Sequence, residues 1–216
     1  MRFSTVFLIA SSMIAGLSAQ GGTSPTAKQD GTALYTSGVK LAEGFYEIAP
    51  TGGNGVLAML DPNNLLQAST AQSSVWELRQ HKSTKFFSLH ISNQANLEKC
   101  ISTRWTVGDS STNGGYPDAA VMWQCEIDGS MPKSTGGYQK IYPPKQLWLA
   151  VPDQKVRGQY KIVSASHLYD MDPRCISQKT ISGGTTLTVC KIDTQDSNLL
   201  WSLKPSSSKS ASSSSN

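Results

Sequence analysis

Between residues 41 and 204 the chain returns three times to the same short apolar motifs, and that recurrence confines it to a repeat architecture. Three segments close on a run containing tryptophan: Val75-Trp76-Glu77-Leu78, Leu147-Trp148-Leu149-Ala150 and Leu200-Trp201-Ser202-Leu203. Three open on an alternating aromatic stretch: Gly44-Phe45-Tyr46-Glu47-Ile48, Phe86-Phe87-Ser88-Leu89-His90-Ile91 and Gly158-Gln159-Tyr160-Lys161-Ile162. The second and third segments share Cys100-Ile101-Ser102 and Cys175-Ile176-Ser177. Each of these two then reaches an apolar run ending in cysteine, Ala120 to Cys125 or Thr186 to Cys190. Apolar runs of period 2, separated by Gly, Pro, Asn and Ser clusters, are strand and turn signals. No helical period is sustained after the N-terminal apolar stretch. Four strands in each of three repeats predict a closed, pseudo-threefold all-β barrel, which leaves no exposed sheet edge.

The flanks read differently. Arg2, the apolar stretch Val6 to Leu17 and the small residues Gly16, Ser18 and Ala19 have the layout of a secretory signal peptide over residues 1–19. Cleavage after Ser18 or after Ala19 fits equally. The stretch is too short to span a bilayer, which needs about 20 residues. Residues 20–40, poor in apolar side chains from Gln20 to about Gly38, read as a disordered lead-in. Residues 205–216, Pro205 followed almost wholly by serine, read as a solvated tail, a plain linker or a carrier of O-linked sugars. No hydrophobic terminus follows the serines, so no lipid anchor is expected. The chain is thus expected to be secreted, extracellular and soluble.

An exported chain with four cysteines, Cys100, Cys125, Cys175 and Cys190, is expected to pair them as disulfides, in any of three connectivities. No Cys-x-x-Cys pair is present, and His81, His90 and His167 show no ligand spacing, so neither metal nor cofactor is expected. The formal net charge of +4 includes Arg2 of the leader, and the basic residues are dispersed. A nucleic-acid or membrane-surface partner is therefore not expected.

The order Cys-Ile-Ser, apolar strand to Cys, then Gln-x-Trp resembles the repeat of the ricin-B type (R-type) β-trefoil lectins. The resemblance covers about Leu41 to Lys204, as repeats at about 41–82, 83–152 and 153–204. It implies a β-trefoil with two disulfides inside repeats, Cys100–Cys125 and Cys175–Cys190, each contributing about 3 kcal/mol through loop closure. The first repeat has Val56-Leu57-Ala58 in place of the first cysteine motif. Only Gln146-Leu147-Trp148 keeps Gln-x-Trp, against Ser74-Val75-Trp76 and Leu199-Leu200-Trp201.

The resemblance also implies where a sugar would sit, and there the sequence departs. A carboxylate accepts the pyranose hydroxyls and an aromatic ring covers its apolar face. The family's acceptor Asp maps to Ala58, Ser102 and Ser177. Its aromatic maps to Trp123 in repeat two but to Thr188 in repeat three. Its amide partners map to Lys145 and Gln146, and to Asn198 and Leu199. Repeat two keeps the most, with Trp123, Gln146 and Ser102. Its insertions, Thr106 to Ala119 and Asp128 to Pro144, carry Tyr116, Tyr138 and Tyr142, and Asp109 or Asp118 could replace the missing carboxylate. Equally, Trp123 is readable as packing and the insertions as surface loops. Trp76, Trp148 and Trp201 are expected in the barrel core.

Catalysis is not expected. Glycoside hydrolysis requires two positioned carboxylates, whereas the acidic residues here favour turns such as Asp61-Pro62 and Asp172-Pro173. No Gly-x-Ser-x-Gly elbow occurs, and His167 with Tyr169 and Asp170 reads as a polar loop. The partner expected is a glycan or glycoprotein. The alternative is an extracellular protein, bound through loops by a protease inhibitor or host-targeting factor.

Overall fold

The computed structural model describes residues 25–60, 65–71, 74–92, 98–103, 119–125, 127, 143–168, 172–181 and 184–207. Strands β1 (Gly44–Pro50), β4 (Trp76–Gln80), β5 (Phe87–Ser92), β8 (Trp148–Pro152), β9 (Gln159–Ser164) and β12 (Trp201–Ser206) pair antiparallel in a ring. The ring closes because β12 returns to β1, with Ile48 opposite Leu203. Hairpins β2 (Val56–Leu60) with β3 (Leu65–Ser69), β6 (Glu98–Thr103) with β7 (Ala120–Gln124), and β10 (Arg174–Ile181) with β11 (Gly184–Val189) stand off it. They meet one another where Leu65 pairs with Val121 and Ala119 bridges Thr186.

Alternation decides which side chains enter the barrel. Ile48, Leu89 and Ile162 are buried from the first ring strand of each run, and Leu57, Ile101 and Ile176 from each hairpin. Trp76, Trp148 and Trp201 are fully buried, as the sequence predicts. A buried indole must place its N–H. Each finds the same kind of acceptor on a hairpin: Leu57 O at 2.8 Å, Ile101 O at 3.0 Å and Ile176 O at 3.0 Å. One side chain thus fills the barrel and ties a hairpin to it.

A second apolar cluster lies outside the ring, and its composition corrects the reading of residues 20–40 as disordered. Pro25–Ser37 is an α-helix, α1. Proline suits a first helical position, but the segment's few apolar residues give no amphipathic face, which is why the sequence hides it. The helix is held by tertiary contacts instead. Leu34 is fully buried with Leu149, Val151, Val163, Leu168 and Leu199. Lys85 Nζ donates to the terminal carbonyls of Tyr35 and Thr36 at 3.1 and 2.9 Å, a favourable place for a cation. Lys191 pairs with Asp30 at 2.9 Å, and that carboxylate raises the Lys191 pKa. After the helix, a Cβ on Gly38 would lie 2.5 Å from Leu149 Cδ1, so only glycine lets the chain pass. Val39 then bridges Ala150. This cover explains why β8 is buried on both faces from Trp148 to Val151.

The C-terminal boundary also moves. Pro205 and Ser206, read as the start of the tail, belong to β12 and pair with Tyr46 and Phe45. Proline is tolerated there because β12 ends beside it and needs no further ladder donor. The signal-peptide residues 1–19 and the serines from Ser208 onward lie outside the described residues. No described helix is long and apolar enough to cross a membrane.

Candidate functional site

Repeat-two residues converge where β6, β7 and the 3-10 turn Pro143–Gln146 meet. The turn precedes Trp148, so anchoring that indole in the core fixes Gln146 two residues earlier. Gln146 Nε2 donates to Ser102 Oγ at 2.9 Å and to Gln124 O at 2.8 Å. Ser102 Oγ donates in turn to Cys100 O at 3.3 Å. Gln146 is 0% exposed and Ser102 1%. Both sequence-picked residues are therefore brought together, but facing inward: the amide is a strut joining β6 and β7 to the turn. A carboxylate at position 102 would be buried, and burying an ionised group is costly.

Trp123 is placed differently. On β7, Ala120 and Met122 point to the core while Val121 and Trp123 are half-buried on the outer face. Trp123 lies opposite Cys100 in the register and two residues before Cys125, so the ring and the Cys100–Cys125 disulfide share the outer face. The residues bonded as disulfides are Cys100 with Cys125 and Cys175 with Cys190, the pairs the resemblance implies. Lys145, beside Gln146, is buried, and loss of solvation lowers its pKa to about 8. Asp109, Asp118, Tyr116, Tyr138 and Tyr142 lie outside the described residues.

The corresponding positions of repeat three are also committed to structure. Asn198 donates its backbone N–H and its Nδ2 to Asp196 Oδ1 at 3.0 and 2.7 Å, capping the 3-10 turn Ser197–Leu199. Those bonds hold the Asp196 carboxyl below its ordinary pKa, with Lys179 at 3.4 Å assisting. Leu199 and Ser177 are fully buried, and Ser177 Oγ accepts from Lys179 N at 3.1 Å. In the first repeat Ala58 is fully buried as well.

His90, read in the sequence as a scattered histidine without ligand spacing, is brought by the fold against a disulfide. His90 is 1% exposed, with Nε2 2.6 Å from Ser88 Oγ and Nδ1 3.3 Å from the sulfurs of both Cys100 and Cys125. Strand alignment carried the signal: Phe87-Ser88-Leu89-His90 runs parallel to Tyr160-Lys161-Ile162-Val163, which puts histidine where the third repeat has valine. Both face a first cysteine, His90 opposite Cys100 and Val163 opposite Cys175.

No family model matches the sequence, and no curated protein does. Among solved structures, SeviL bound to asialo-GM1 saccharide is 12% identical with a TM-score of 0.47, covering 76% of this chain and 98% of its own. The designed 3-fold symmetric protein ThreeFoil is 15% identical with a TM-score of 0.43, covering 74% and 97%. The cytolethal distending toxin of Haemophilus ducreyi is 14% identical with a TM-score of 0.45, covering 74% and 83%.

Proposed function

We propose that the chain is a β-trefoil of three equivalent repeats and acts outside the cell as a non-catalytic, lectin-like carbohydrate-binding protein. The repeat reading is supported by the indole bond that recurs from Trp76, Trp148 and Trp201 to one hairpin each. The observation that carries the sugar site is the placement of Trp123: half-buried, outward, on a strand braced by a disulfide and by the Gln146 strut. A rigid, part-exposed indole offers an apolar face to pyranose C–H groups at little ordering cost. Gln146 and Ser102 then act beneath the sugar, by holding the strand that presents the ring. Asp109 and Asp118 are the proposed acceptors of the hydroxyls.

The test is a glycan array on the full-length chain, followed by titration calorimetry with the best glycan. Trp123→Ala is expected to weaken binding about tenfold, the loss of an aromatic contact of about 1.4 kcal/mol. Asn198→Ala should leave it unchanged, since that amide is spent on Asp196. Parent-like binding by Trp123→Ala removes the site. A second reading, an extracellular protein-binding module such as a protease inhibitor or host-targeting factor, is favoured by the inward turn of Ser102 and Gln146. A blank array together with inhibition of a secreted protease would establish it.

A further inference from the structure

The contacts of His90 set up a chemistry that sugar binding does not use. Ser88 Oγ makes a long hydrogen bond to Arg79 O at 3.5 Å. The 2.6 Å contact of Ser88 Oγ with Nε2 holds the ring so that Nδ1 is the nitrogen facing the two sulfurs. That is the placement of a metal-binding histidine, whose second nitrogen is held by a hydrogen bond to a neighbouring oxygen.

We propose that Cys100, Cys125 and His90 form a reduction-gated site for a thiophilic divalent cation of the zinc class. The three ligand atoms lie within 4.8 Å of one another. In a tetrahedral zinc site, bond lengths of about 2.3 Å to sulfur and 2.0–2.1 Å to nitrogen put sulfur and nitrogen about 3.6 Å apart. Each sulfur already stands 3.3 Å from Nδ1. The two sulfurs of the same site would lie about 3.8 Å apart, so the bond between them is what excludes the ion. Opening it requires a reductant. A dithiol passes two electrons and two protons to the sulfurs and leaves as a cyclic disulfide. The cation then displaces both thiol protons, and the fourth position falls to water. Neither cysteine belongs to the barrel-core cluster; both are buried outside it, beside the outer face of β6 and β7. Cys175–Cys190 supplies an internal control, since Val163 stands opposite Cys175 and offers no ligand.

The full-length chain is reduced with a phosphine, and cobalt(II) is titrated in, read by thiolate-to-cobalt charge-transfer absorption. One equivalent is expected to bind and to be displaced by zinc, with the far-ultraviolet circular dichroism unchanged. His90→Val, which copies the third repeat, should weaken binding at least tenfold. Ser88→Ala should weaken it about 10- to 100-fold by freeing the imidazole, and it decides the matter if His90→Val does not fold. A Cys175→Ser/Cys190→Ser protein should bind as the parent does. Unfolding on reduction, absence of the cobalt spectrum, or parent-like affinity in both the His90 and Ser88 variants would overturn the proposal.

Discussion

Replacing Gln146 separates a strut from a ligand contact more cleanly than any other substitution in repeat two. Gln146→Ala removes the donor to Gln124 O, bonded at 2.8 Å, and the donor to Ser102 Oγ at 2.9 Å. Ser102 keeps its bond to Cys100 O, but the Gln124 carbonyl loses this donor. Each of the two hydrogen bonds lost is worth about 0.5–1.5 kcal/mol net, together about 1–3 kcal/mol. The void left by a side chain that is 0% exposed adds a further penalty of about 1 kcal/mol or more. The sum, about 2–4 kcal/mol, corresponds to a fall in Tm of roughly 5–15 °C for a domain of this size. Gln146→Leu fills the void yet donates nothing, so it should cost only the hydrogen-bond share, about 1–3 kcal/mol. Urea unfolding of the parent and both variants measures the two shares, with the Ala variant the less stable. A change within about 0.5 kcal/mol for Gln146→Ala is what a surface residue gives, and it would refute the strut.

The other expectations are as direct. Leu34→Ala should destabilise the protein by about 2–5 kcal/mol in chemical denaturation, and removal of residues 1–38 should be at least as costly, because α1 covers Leu149 and Val163. Trp201→Phe should cost about 1–3 kcal/mol by orphaning Ile176 O, with less effect on the other two hairpins in hydrogen exchange. Burial lowers the Lys145 pKa from 10.5 to about 8, so between those values the folded chain binds fewer protons than the unfolded one, and stability rises with pH. Lys161, also depressed by burial, acts in the same direction. Urea midpoints at pH 7 and pH 10 should therefore show the parent gaining on Lys145→Met as pH rises; a constant difference would contradict the burial. Expressed with its leader in a secreting host, the chain is expected in the medium with an N-terminus at Ala19 or Gln20, read by N-terminal sequencing; retention of residues 1–19 would contradict the signal-peptide reading.

The barrel was legible because closing a ring leaves little choice: ring positions must be apolar at period 2, and three tryptophans must each find an acceptor. Helix α1 was not legible, for a different reason. Leu34 is its deep anchor, and the rest of its stability comes from Lys85 at its last carbonyls, Lys191 at Asp30 and the absence of a side chain at Gly38. Those partners are 50, 161 and more than 100 positions away in sequence or, for Gly38, defined by Leu149, and no local pattern encodes them. The tail boundary failed likewise, because Pro205 and Ser206 look like linker until Tyr46 and Phe45 pair with them.

At the site, the sequence conveyed residue type but not direction. An amide that can grip a sugar hydroxyl can equally grip a strand carbonyl, and Gln146 does the latter because the turn before Trp148 aims it inward. Trp123 turns outward for the complementary reason: Met122 holds the core face of β7, so its neighbour must take the other side. His90 obeys the same alternation. It shares the outer face with Cys100, and burial there forces a polar ring to find partners, which are Ser88 and two sulfurs. Where the third repeat meets its disulfide with Val163, the contact is packing alone. Opposite Cys100 the strand carries His90 instead, with Nδ1 3.3 Å from both sulfurs, so one difference in residue gives the two disulfides different surroundings.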